Sequence, residues 1–264
     1  MGTKDNQGKA WDSVTRSPEA MKMMAEGLRR SSLEGDMTQS PIVQEVMRNL
    51  GPQRTVLDIG AGVGRFAAPL AEAGCRVIAL EPSLEMQGYL QRTVDSRQLS
   101  DRVRIVHEAW PTKSEYQAEV ALAAFVIQFS EDPVQFVRAM EQSASIRCIL
   151  GVHVDPMFNF ASDLWAAFHP NQDPPRMPIL ADLYPKLLAQ GIAANVEIVT
   201  EQHGPRLSDK GTAFNILANR LQITDDETSL QRLRIMWQAH GEVWMKPRPM
   251  RTAILSWKPD SASK

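Results

Sequence analysis

The sequence predicts an α/β fold in which helices cover both faces of a doubly wound, seven-stranded, mostly parallel sheet. Two observations carry this prediction. Seven short apolar runs alternate, over much of the chain, with segments of helical periodicity. In addition, the first run, "TVLDIG", leads into three closely spaced glycines, Gly60, Gly62 and Gly64, where a helix pattern begins. A strand, a glycine-rich turn and a helix in this order are typical of the ligand-binding edge of such a sheet.

The predicted strands are apolar runs of the length expected for strands buried on both faces. They cover residues 55–60, 76–82, 103–110, 119–126, 146–154, 196–202 and 251–257. Helix patterns follow the first, second and fourth runs, with apolar residues at helical spacing and a cap or a stop at one end. Their marker residues are Phe66, Leu70 and Gly74 for the first, Ser83, Met86, Leu90 and Val94 for the second, and Asp132, Pro133, Phe136 and Met140 for the third.

The composition of the 264 residues argues against several classes of protein. With 29 basic and 31 acidic residues and no long run of either sign, the chain has nothing typical of a nucleic-acid-binding surface. The first residues lack the apolar core typical of a signal peptide, and no apolar stretch reaches membrane-spanning length, so we expect a cytoplasmic protein without membrane contact. Cys75 and Cys148 have no metal-ligand spacing and are expected to be small buried residues, not part of a disulfide or a zinc site.

The spacing and charge of the first loop indicate which ligand it binds. The loop reads G-x-G-x-G instead of the dinucleotide pattern G-x-G-x-x-G, and Asp58 lies on the strand two residues before Gly60. A carboxylate there disfavours a pyrophosphate and favours a ligand with an ammonium group. Glu81 ends the second strand about 20 residues later, where an acidic side chain accepts both hydroxyls of a ribose. Adenosine joined to an amino acid satisfies both demands, and S-adenosylmethionine is such a molecule.

These segments, "VLDIGAGVGRFAAPLA" and "VIALEPS", resemble the glycine-rich loop and acidic second strand of the class I, seven-stranded, Rossmann-like S-adenosylmethionine-dependent methyltransferases of the small-molecule type. The resemblance implies the strand order 3-2-1-4-5-7-6 with the last strand antiparallel. It also implies that S-adenosylmethionine is the cofactor. The residues it implies for cofactor binding are Asp58, Gly60, Ala61, Gly62 and Gly64 for the methionyl part, Glu81 and Pro82 for the ribose, Glu108, Ala109 and Trp110 beside the adenine, and Phe125 after the fourth strand.

The fourth strand departs from the family pattern. In the family an aspartate begins this strand and a His or Tyr sits near its end, whereas here Glu119 begins it and Phe125, Gln128 and Phe129 occupy the following turn. The sequence therefore does not predict the polar contact that the family usually makes at these positions. Packing is as good an interpretation of the two phenylalanines as contact with a ligand.

We predict a single methyltransferase domain over residues 1–264. Two long segments exceed ordinary connections, and we expect them to form a helical cap over the carboxyl edge of the sheet that selects the acceptor. Helices are also expected ahead of the first strand, where Ser17-Pro18 and Ser40-Pro41 each combine a cap with a proline in the first turn. The parts are an N-terminal helical cover (1–50), a cofactor-binding core (51–155) and two cap insertions (156–180 and 205–249).

Two histidines are the catalytic candidates. His153 lies with Asp155 at the end of the fifth strand, and His169 shares a helical face with Trp165 in the first insertion. A general base is needed only when the acceptor is protonated at neutral pH, and either imidazole has the chemistry for that role. The sequence contains no octahedral cluster of carboxylates and no close histidine pair, so no metal is predicted.

The predicted reaction is an in-line transfer of a methyl group to a small-molecule acceptor, giving S-adenosylhomocysteine. Enzymes of this superfamily that methylate amino groups of bases or glutamine amides tend to carry an Asn/Asp-Pro-Pro-Tyr/Phe segment after the fourth strand, and this chain reads "AFVI" there. Two alternatives stay open. One is a sensor or accessory protein that binds S-adenosylmethionine or S-adenosylhomocysteine without turnover. The other, less favoured, is an NAD-dependent oxidoreductase. The acceptor, the atom that is methylated and the oligomeric state are not predicted.

Overall fold

A computed structural model of the chain describes residues 25, 37–156, 162–174, 177–201, 210–244 and 249–260. Its sheet consists of β1 (Thr55–Ile59), β2 (Arg76–Leu80), β3 (Val103–Val106), β4 (Ala118–Ala124), β5 (Ala144–His153), β6 (Asn195–Glu201) and β7 (Met250–Trp257). The described helices include α1 (Pro41–Arg48), α2 (Ala67–Glu72), α3 (Leu84–Ser96), α4 (Pro133–Ser143), α5 (Ser162–Phe168), α6 (Leu180–Leu188), α7 (Lys210–Arg220) and α8 (Glu227–Trp244). All seven predicted strands are confirmed, although β3 ends at Val106, before its predicted boundary.

The strand order is β3-β2-β1-β4-β5-β7-β6. Strands β1 to β5 pair with one another in parallel, whereas β7 is antiparallel to both β5 and β6. The predicted fold class, strand order and antiparallel last strand are therefore confirmed. Because the chain order reverses between β1 and β4, the carboxyl ends of these two strands flank the crevice where open α/β sheets bind their ligands.

Both faces of the sheet are buried at its central strands, whereas Val196 and Ile198 of the edge strand β6 are exposed. Successive residues of a strand belong to opposite faces. In β4, Val120 and Leu122 pack in one hydrophobic cluster, and Ala121 and Ala123 pack in the other. Helices α1, α2 and α3 cover the first face, which we call the front face, while α4 and α6 cover the back face. The two faces together give the doubly wound arrangement that strand and helix alternation predicts.

The helices after the second and fourth strands start at their predicted caps. The Ser83 hydroxyl accepts a hydrogen bond from the N–H of Met86 at 3.3 Å. The Asp132 carboxylate accepts two backbone N–H groups of the first turn of α4, both at 3.0 Å. Helix α1 begins at Pro41 as predicted. The helix expected after Ser17 lies outside the described residues.

Helix α6 has no counterpart among the predicted elements. Pro185 lies inside it, and a proline usually ends a helical pattern. Leu183 and Leu187 nevertheless have helical spacing, and both are buried on the back face. A leucine repeat that continues past the proline was the signal available in the sequence.

Helices α5, α7 and α8 form a separate hydrophobic cluster, which we call the outer cluster. Its buried members are Leu164, Trp165, Leu217, Ala218, Leu221, Ile223 and Leu233. Since α5 belongs to the first predicted insertion and the other two helices to the second, the two insertions meet in space. Their position over the carboxyl edge, and the division of the chain into cover, core and cap, stay predictions. In the described part of the chain, no helix is long and apolar enough to cross a membrane.

Glu119 anchors the turn that leads into β1. Its side chain is 5% exposed, and its carboxylate accepts backbone N–H groups of Gly51 at 3.1 Å, Gln53 at 2.9 Å and Thr55 at 3.3 Å. Buried N–H groups need such partners, since an unpaired one costs about 1–3 kcal/mol. The glutamate that departs from the family pattern is therefore explained by its bonds to the backbone.

We expect Glu119→Gln to lower the free energy of unfolding by about 2–4 kcal/mol, because an amide NH2 would then face backbone donors that the carboxylate now satisfies. Urea unfolding followed by circular dichroism measures the effect. The exposed Glu131→Gln is the matched control and should change the stability by less than about 0.5 kcal/mol. Unchanged stability of the Glu119→Gln protein would contradict the anchoring role.

Candidate active site

The glycine loop lies between β1 and α2 and is fixed by backbone hydrogen bonds. The N–H groups of Gly60 and Ala61 both donate to the carbonyl of Leu80, at 2.8 and 2.9 Å, and the N–H of Gly64 donates to the carbonyl of Ala61 at 2.9 Å. All three glycines of the loop have positive φ, at 70°, 57° and 88° along the chain. Such a conformation strongly favours glycine.

The three glycines differ in what surrounds them. A Cβ at Gly60 would lie 2.4 Å from a methyl of Val126, and a Cβ at Gly64 would lie 2.7 Å from Leu90. A Cβ at Gly62 would meet no atom of the described residues within 4 Å. Gly60 and Gly64 therefore permit close packing inside the protein, whereas Gly62 faces open space where a ligand can approach the backbone.

Glu81 links the end of β2 to the glycine loop. Its carboxylate accepts the N–H groups of Gly62 and Ser83, both at 2.8 Å, and the side chain is 6% exposed. Burial raises the pKa of Glu81, and the two N–H groups oppose that shift. The carbonyl of the exposed Pro82 lies 2.8 Å from Nε2 of His107, and this contact also stabilises the turn. The predicted ribose-binding acid is thus held in place beside the loop.

Asp58 is a buried carboxylate, and one of its two oxygens accepts no hydrogen bond from the described residues. Its side chain is 1% exposed, and Oδ2 has no hydrogen-bond partner in the described part of the chain. Burial, and then the negative charge of Glu81, raise the pKa of Asp58 to about 7, while the N–H of Ala67 opposes the shift. Leu57 and Ile59 pack on the back face, so Asp58 belongs to the front face. An unpaired buried oxygen of this kind fits a ligand that brings a donor with positive charge.

The residues after β3 are held mainly by contacts within the protein. Glu108 accepts hydrogen bonds from the hydroxyls of Thr112, Ser114 and Tyr116, and the bond from Thr112 is the largest cause of a lowered pKa of Glu108. Trp110 donates its indole N–H to the carbonyl of Phe136 at 3.1 Å.

The indole ring of Trp110 also packs edge-on against the ring of Phe136, with ring centres 6.4 Å apart. Ala109, between Glu108 and Trp110, is exposed. The adenine contacts of these three residues stay predictions.

Phe125 follows β4 with a strained backbone. Its φ is +59°, which is uncommon for a residue with a large side chain. Two hydrogen bonds hold the position: the N–H of Phe125 donates to the carbonyl of Gly151 at 2.8 Å, and its carbonyl accepts the side-chain amide of Gln128 at 2.7 Å. Strain of this kind is concentrated at functional sites. The ring of Phe125 stacks on His153, with ring centres 4.7 Å apart.

His153 ends β5 on the same face of the sheet as Asp58. The preceding Val152 packs on the back face, so the imidazole belongs to the front face. Its Nδ1 is buried and has no hydrogen-bond partner in the described residues. Burial, and then the nearby positive charge of Arg65, lower the pKa of His153 to about 4. The ring is therefore neutral at neutral pH.

Asp155, which the sequence places with His153 at the end of the fifth strand, binds a different residue. Arg251 of β7 donates from Nε to one oxygen of Asp155 at 2.8 Å and from a terminal nitrogen to the other. This bidentate hydrogen bond lowers the pKa of Asp155. The carboxylate thus joins β7 to the segment after β5.

His169 and Trp165 lie together, as predicted, but in the outer cluster. Their rings stack with centres 4.1 Å apart. Nε2 of His169 lies 2.7 Å from the carbonyl of Leu221, and the indole N–H of Trp165 donates to the carbonyl of Gln172 at 2.9 Å. The contact of His169 joins the end of α5 to the end of α7, whereas the bond of Trp165 stays within the segment that contains α5. A catalytic role for His169 stays a prediction. The described residues contain no group of three or more potential metal ligands.

Arg65 is the residue of this region that sequence reasoning missed. It directly follows Gly64, and its guanidinium carbon lies 5.3 Å from the ring centre of Phe66 and 5.9 Å from that of Phe125. Its position next to the glycine loop was the available signal. The structure brings this cation to the carboxyl ends of β1, β4 and β5, beside His153.

The sheet order, the acidic glycine loop after β1 and the carboxylate after β2 define a class of protein: the class I, Rossmann-like, S-adenosylmethionine-dependent methyltransferase fold. Residues 57–145 match the family model described as "Methyltransferase domain". That range contains the glycine loop, Asp58 and Glu81. This part of the chain is therefore similar to a methyltransferase domain, and the predicted class I methyltransferase fold is confirmed.

The known proteins that this chain resembles include a curated enzyme and solved methyltransferase structures. The tRNA 5-carboxymethoxyuridine methyltransferase of Escherichia coli (strain K12) is 30% identical over 107 residues, which is 38% of this chain. The match spans 41% of that relative, so the chain spans about two fifths of the length of the curated relatives it matches.

The two solved structures show the fold. A SAM-dependent methyltransferase from Geobacter sulfurreducens in complex with S-adenosyl-L-homocysteine has a TM-score of 0.51 at 17% identity, covering 98% of this chain and 100% of that chain. Magnesium protoporphyrin IX methyltransferase from Synechocystis PCC 6803 with bound SAM has a TM-score of 0.54 at 13% identity, covering 97% of this chain and 99% of that chain. At these identities the likeness concerns the fold alone.

Proposed function

We propose that the protein transfers the methyl group of S-adenosylmethionine to a small-molecule acceptor and gives S-adenosylhomocysteine. The observation that carries the proposal is the buried Oδ2 of Asp58, which has no hydrogen-bond partner among the described residues and lies beside a glycine loop with space at Gly62. The methyltransferase domain match over residues 57–145 supports the same reaction class.

The residues at this edge fit the cofactor. Asp58 offers an acceptor for the ammonium group, Gly62 leaves room for the methionyl part, and Glu81 offers an acceptor for the ribose hydroxyls. Ala61 and Gly64 shape the loop around that part. When bound, S-adenosylmethionine supplies an electrophilic methyl group on a positively charged sulfur.

The protein's own task in such a reaction is to position the acceptor and to exclude water. Phe125 and His153 form a stacked pair at the ends of β4 and β5, near the glycine loop through the contact of Val126 with Gly60. We propose His153 as a residue that contacts the acceptor through its buried Nδ1. As a neutral ring it accepts or donates one hydrogen bond there.

The proposal also specifies that the acceptor is a small molecule. It is supported by the net charge of −2, which offers little attraction for a phosphate backbone. The curated relative that acts on tRNA aligns over 107 residues only, so its substrate does not transfer with the alignment. Transfer RNA nevertheless belongs among the acceptors to be tested.

Two measurements, made one after the other, test the proposal. Calorimetry with S-adenosylmethionine, S-adenosylhomocysteine and NAD determines which ligand the loop binds, and we expect the first two only. Turnover is then measured as S-adenosylhomocysteine formation against a small-molecule library and against bulk tRNA. Binding without turnover on any acceptor would favour the accessory or sensor protein, methylation of tRNA alone would overturn the small-molecule part, and binding of NAD alone would favour the oxidoreductase.

We expect Glu81→Ala to weaken binding of S-adenosylhomocysteine by about 1.5–3 kcal/mol, the usual value of hydrogen bonds to a charged group. The variant also frees the N–H of Gly62, which adds disorder in the loop. Calorimetry measures the affinity, and Glu81→Gln, which keeps one acceptor oxygen, should give an intermediate loss. If Glu81→Ala folds and binds as tightly as the parent protein, the ribose assignment is wrong.

A further inference from the structure

A cation, two phenylalanine rings and a neutral imidazole meet beside the cofactor loop. Arg65 lies over the rings of Phe66 and Phe125, and Phe125 stacks on His153. We call these four residues the Arg65 pocket. They come from the ends of β1, β4 and β5, which are neighbours in the sheet. The pocket therefore lies at the edge where the acceptor must approach the cofactor.

The pocket is poorly equipped to remove a proton. Among its four residues His153 is the only proton acceptor, and burial together with the charge of Arg65 lowers the pKa of His153 to about 4. Asp155, which follows on the same segment, is bound to Arg251 and does not orient the imidazole. Acceptors such as hydroxyls or ammonium groups must lose a proton when they are methylated, which requires a base.

A carboxylate is the acceptor that suits these residues. It has lone pairs at neutral pH without losing a proton, and its negative charge complements Arg65. A guanidinium forms strong, charge-assisted hydrogen bonds to a carboxylate. The flat rings of Phe125 and His153 favour a planar group next to that carboxylate, because aromatic rings stack with planar partners.

We infer that the Arg65 pocket binds the carboxylate of a planar acceptor and that this carboxylate is converted to its methyl ester, an inference that rests on the proposed function. One carboxylate oxygen forms a bond to the methyl carbon, the carbon–sulfur bond breaks, and its electron pair stays on sulfur. The negative carboxylate and the positive sulfonium become a neutral ester and a neutral thioether. Atoms and charge therefore balance without a proton transfer. Arg65 holds the acceptor through the other oxygen.

Binding tests the pocket independently of turnover. Benzoate is titrated into the protein saturated with S-adenosylhomocysteine, with the neutral benzamide as the matched ligand, and ligand-observed NMR measures both affinities. We expect benzoate to bind at least about 10-fold more tightly than benzamide. Arg65→Met should abolish this preference, and Arg65→Lys should restore part of it.

Arg92→Met is the matched control variant, because the Arg92 guanidinium also lies over a ring, that of Tyr89 at 4.3 Å, but on the exposed side of α3. It should leave the benzoate preference unchanged, and the affinity for S-adenosylhomocysteine should change by less than about 3-fold in all variants. Equal binding of benzoate and benzamide, or an Arg65→Met protein that keeps the preference, would overturn the inference.

Turnover measurements distinguish a failure of this inference from a failure of the proposed function. The acceptor library contains each planar scaffold as acid, alcohol and amine, and mass spectrometry identifies the methylated product. Acids should gain a methyl group that mild alkali releases as methanol. Methylation of alcohols or amines but not acids would overturn the carboxylate inference and leave the methyltransferase proposal standing. Absence of turnover on every acceptor and on tRNA would overturn the proposed function, and the benzoate titration would then decide on carboxylate binding alone.

Discussion

Gly62→Val is expected to abolish cofactor binding, with a loss of more than about 100-fold in affinity for S-adenosylhomocysteine. The reason lies in the space around the residue: a Cβ there would meet no atom within 4 Å in the part of the chain that the structure describes, so the branched side chain would occupy the volume left for the ligand. The positive φ of 57° adds a backbone penalty of about 1–2 kcal/mol for any residue other than glycine. Calorimetry measures the affinity and thermal unfolding measures the stability.

Gly191→Val separates the backbone penalty from the loss of ligand space. Gly191 follows α6 and has a φ of 80°, and a Cβ placed on it likewise meets no atom within 4 Å among the described residues. This variant should lose a similar amount of stability and keep the affinity of the parent protein. A Gly62→Val protein that binds normally would show that the loop does not contact the ligand. A Gly191→Val protein that binds as poorly as Gly62→Val would show that the loss of binding does not come from lost ligand space.

The strands and the cofactor loop were predictable because each has a local signal. Buried parallel strands are continuous apolar runs, as in β4, where every residue is buried. The acid two residues before the first glycine and the acid at the end of β2 lie at fixed spacings along the chain. Gly60, Gly62 and Gly64 look alike in the sequence, however, and only the surrounding side chains show that Gly62 faces open space.

The acceptor side was less predictable because it depends on contacts between distant segments. His153 was a candidate from its position at a strand end, but its stacking on Phe125 follows from the pairing of β4 with β5. The positive φ of Phe125 has no signal in the sequence. Arg65 reads as an ordinary charged loop residue until the fold brings it over two rings.

For His169, the contact with its neighbour on the helix was predictable, but its distant partner was not. Its helical spacing from Trp165 is correct, and the two rings do stack. The same pattern serves packing between helices, however, and here the imidazole reaches the carbonyl of Leu221 in the outer cluster. Spacing on a helix predicts that two side chains meet but does not tell whether they meet a substrate or another helix.

Asp58→Asn is expected to weaken binding of S-adenosylhomocysteine by about 3–5 kcal/mol, the usual cost of removing one partner from a buried charge pair. In the protein without ligand the same change should be stabilising at pH 8. Because the folded-state pKa of Asp58, about 7, lies above its ordinary value of 3.8, the neutral carboxyl stabilises the fold below pH 3.8, and this stability is lost as the pH rises through 7. Asparagine stays neutral at every pH and avoids that loss.

The pH dependence of binding distinguishes this role of Asp58 from a merely structural one. An ammonium group pairs with the ionised carboxylate, so the parent protein must release a proton from Asp58 when it binds ligand below about pH 7. Its affinity should therefore fall as the pH is lowered from 7.5 to 5.5, by at most about tenfold per pH unit. Calorimetry in two buffers of different ionisation enthalpy counts the released protons. Asp58→Asn keeps Glu81, His107, His153 and Arg65, which also lie near the loop, so any pH dependence that they cause should remain in the variant. If Asp58→Asn binds as tightly as the parent protein, or if the parent protein releases no proton at pH 6, Asp58 does not pair with the ammonium group.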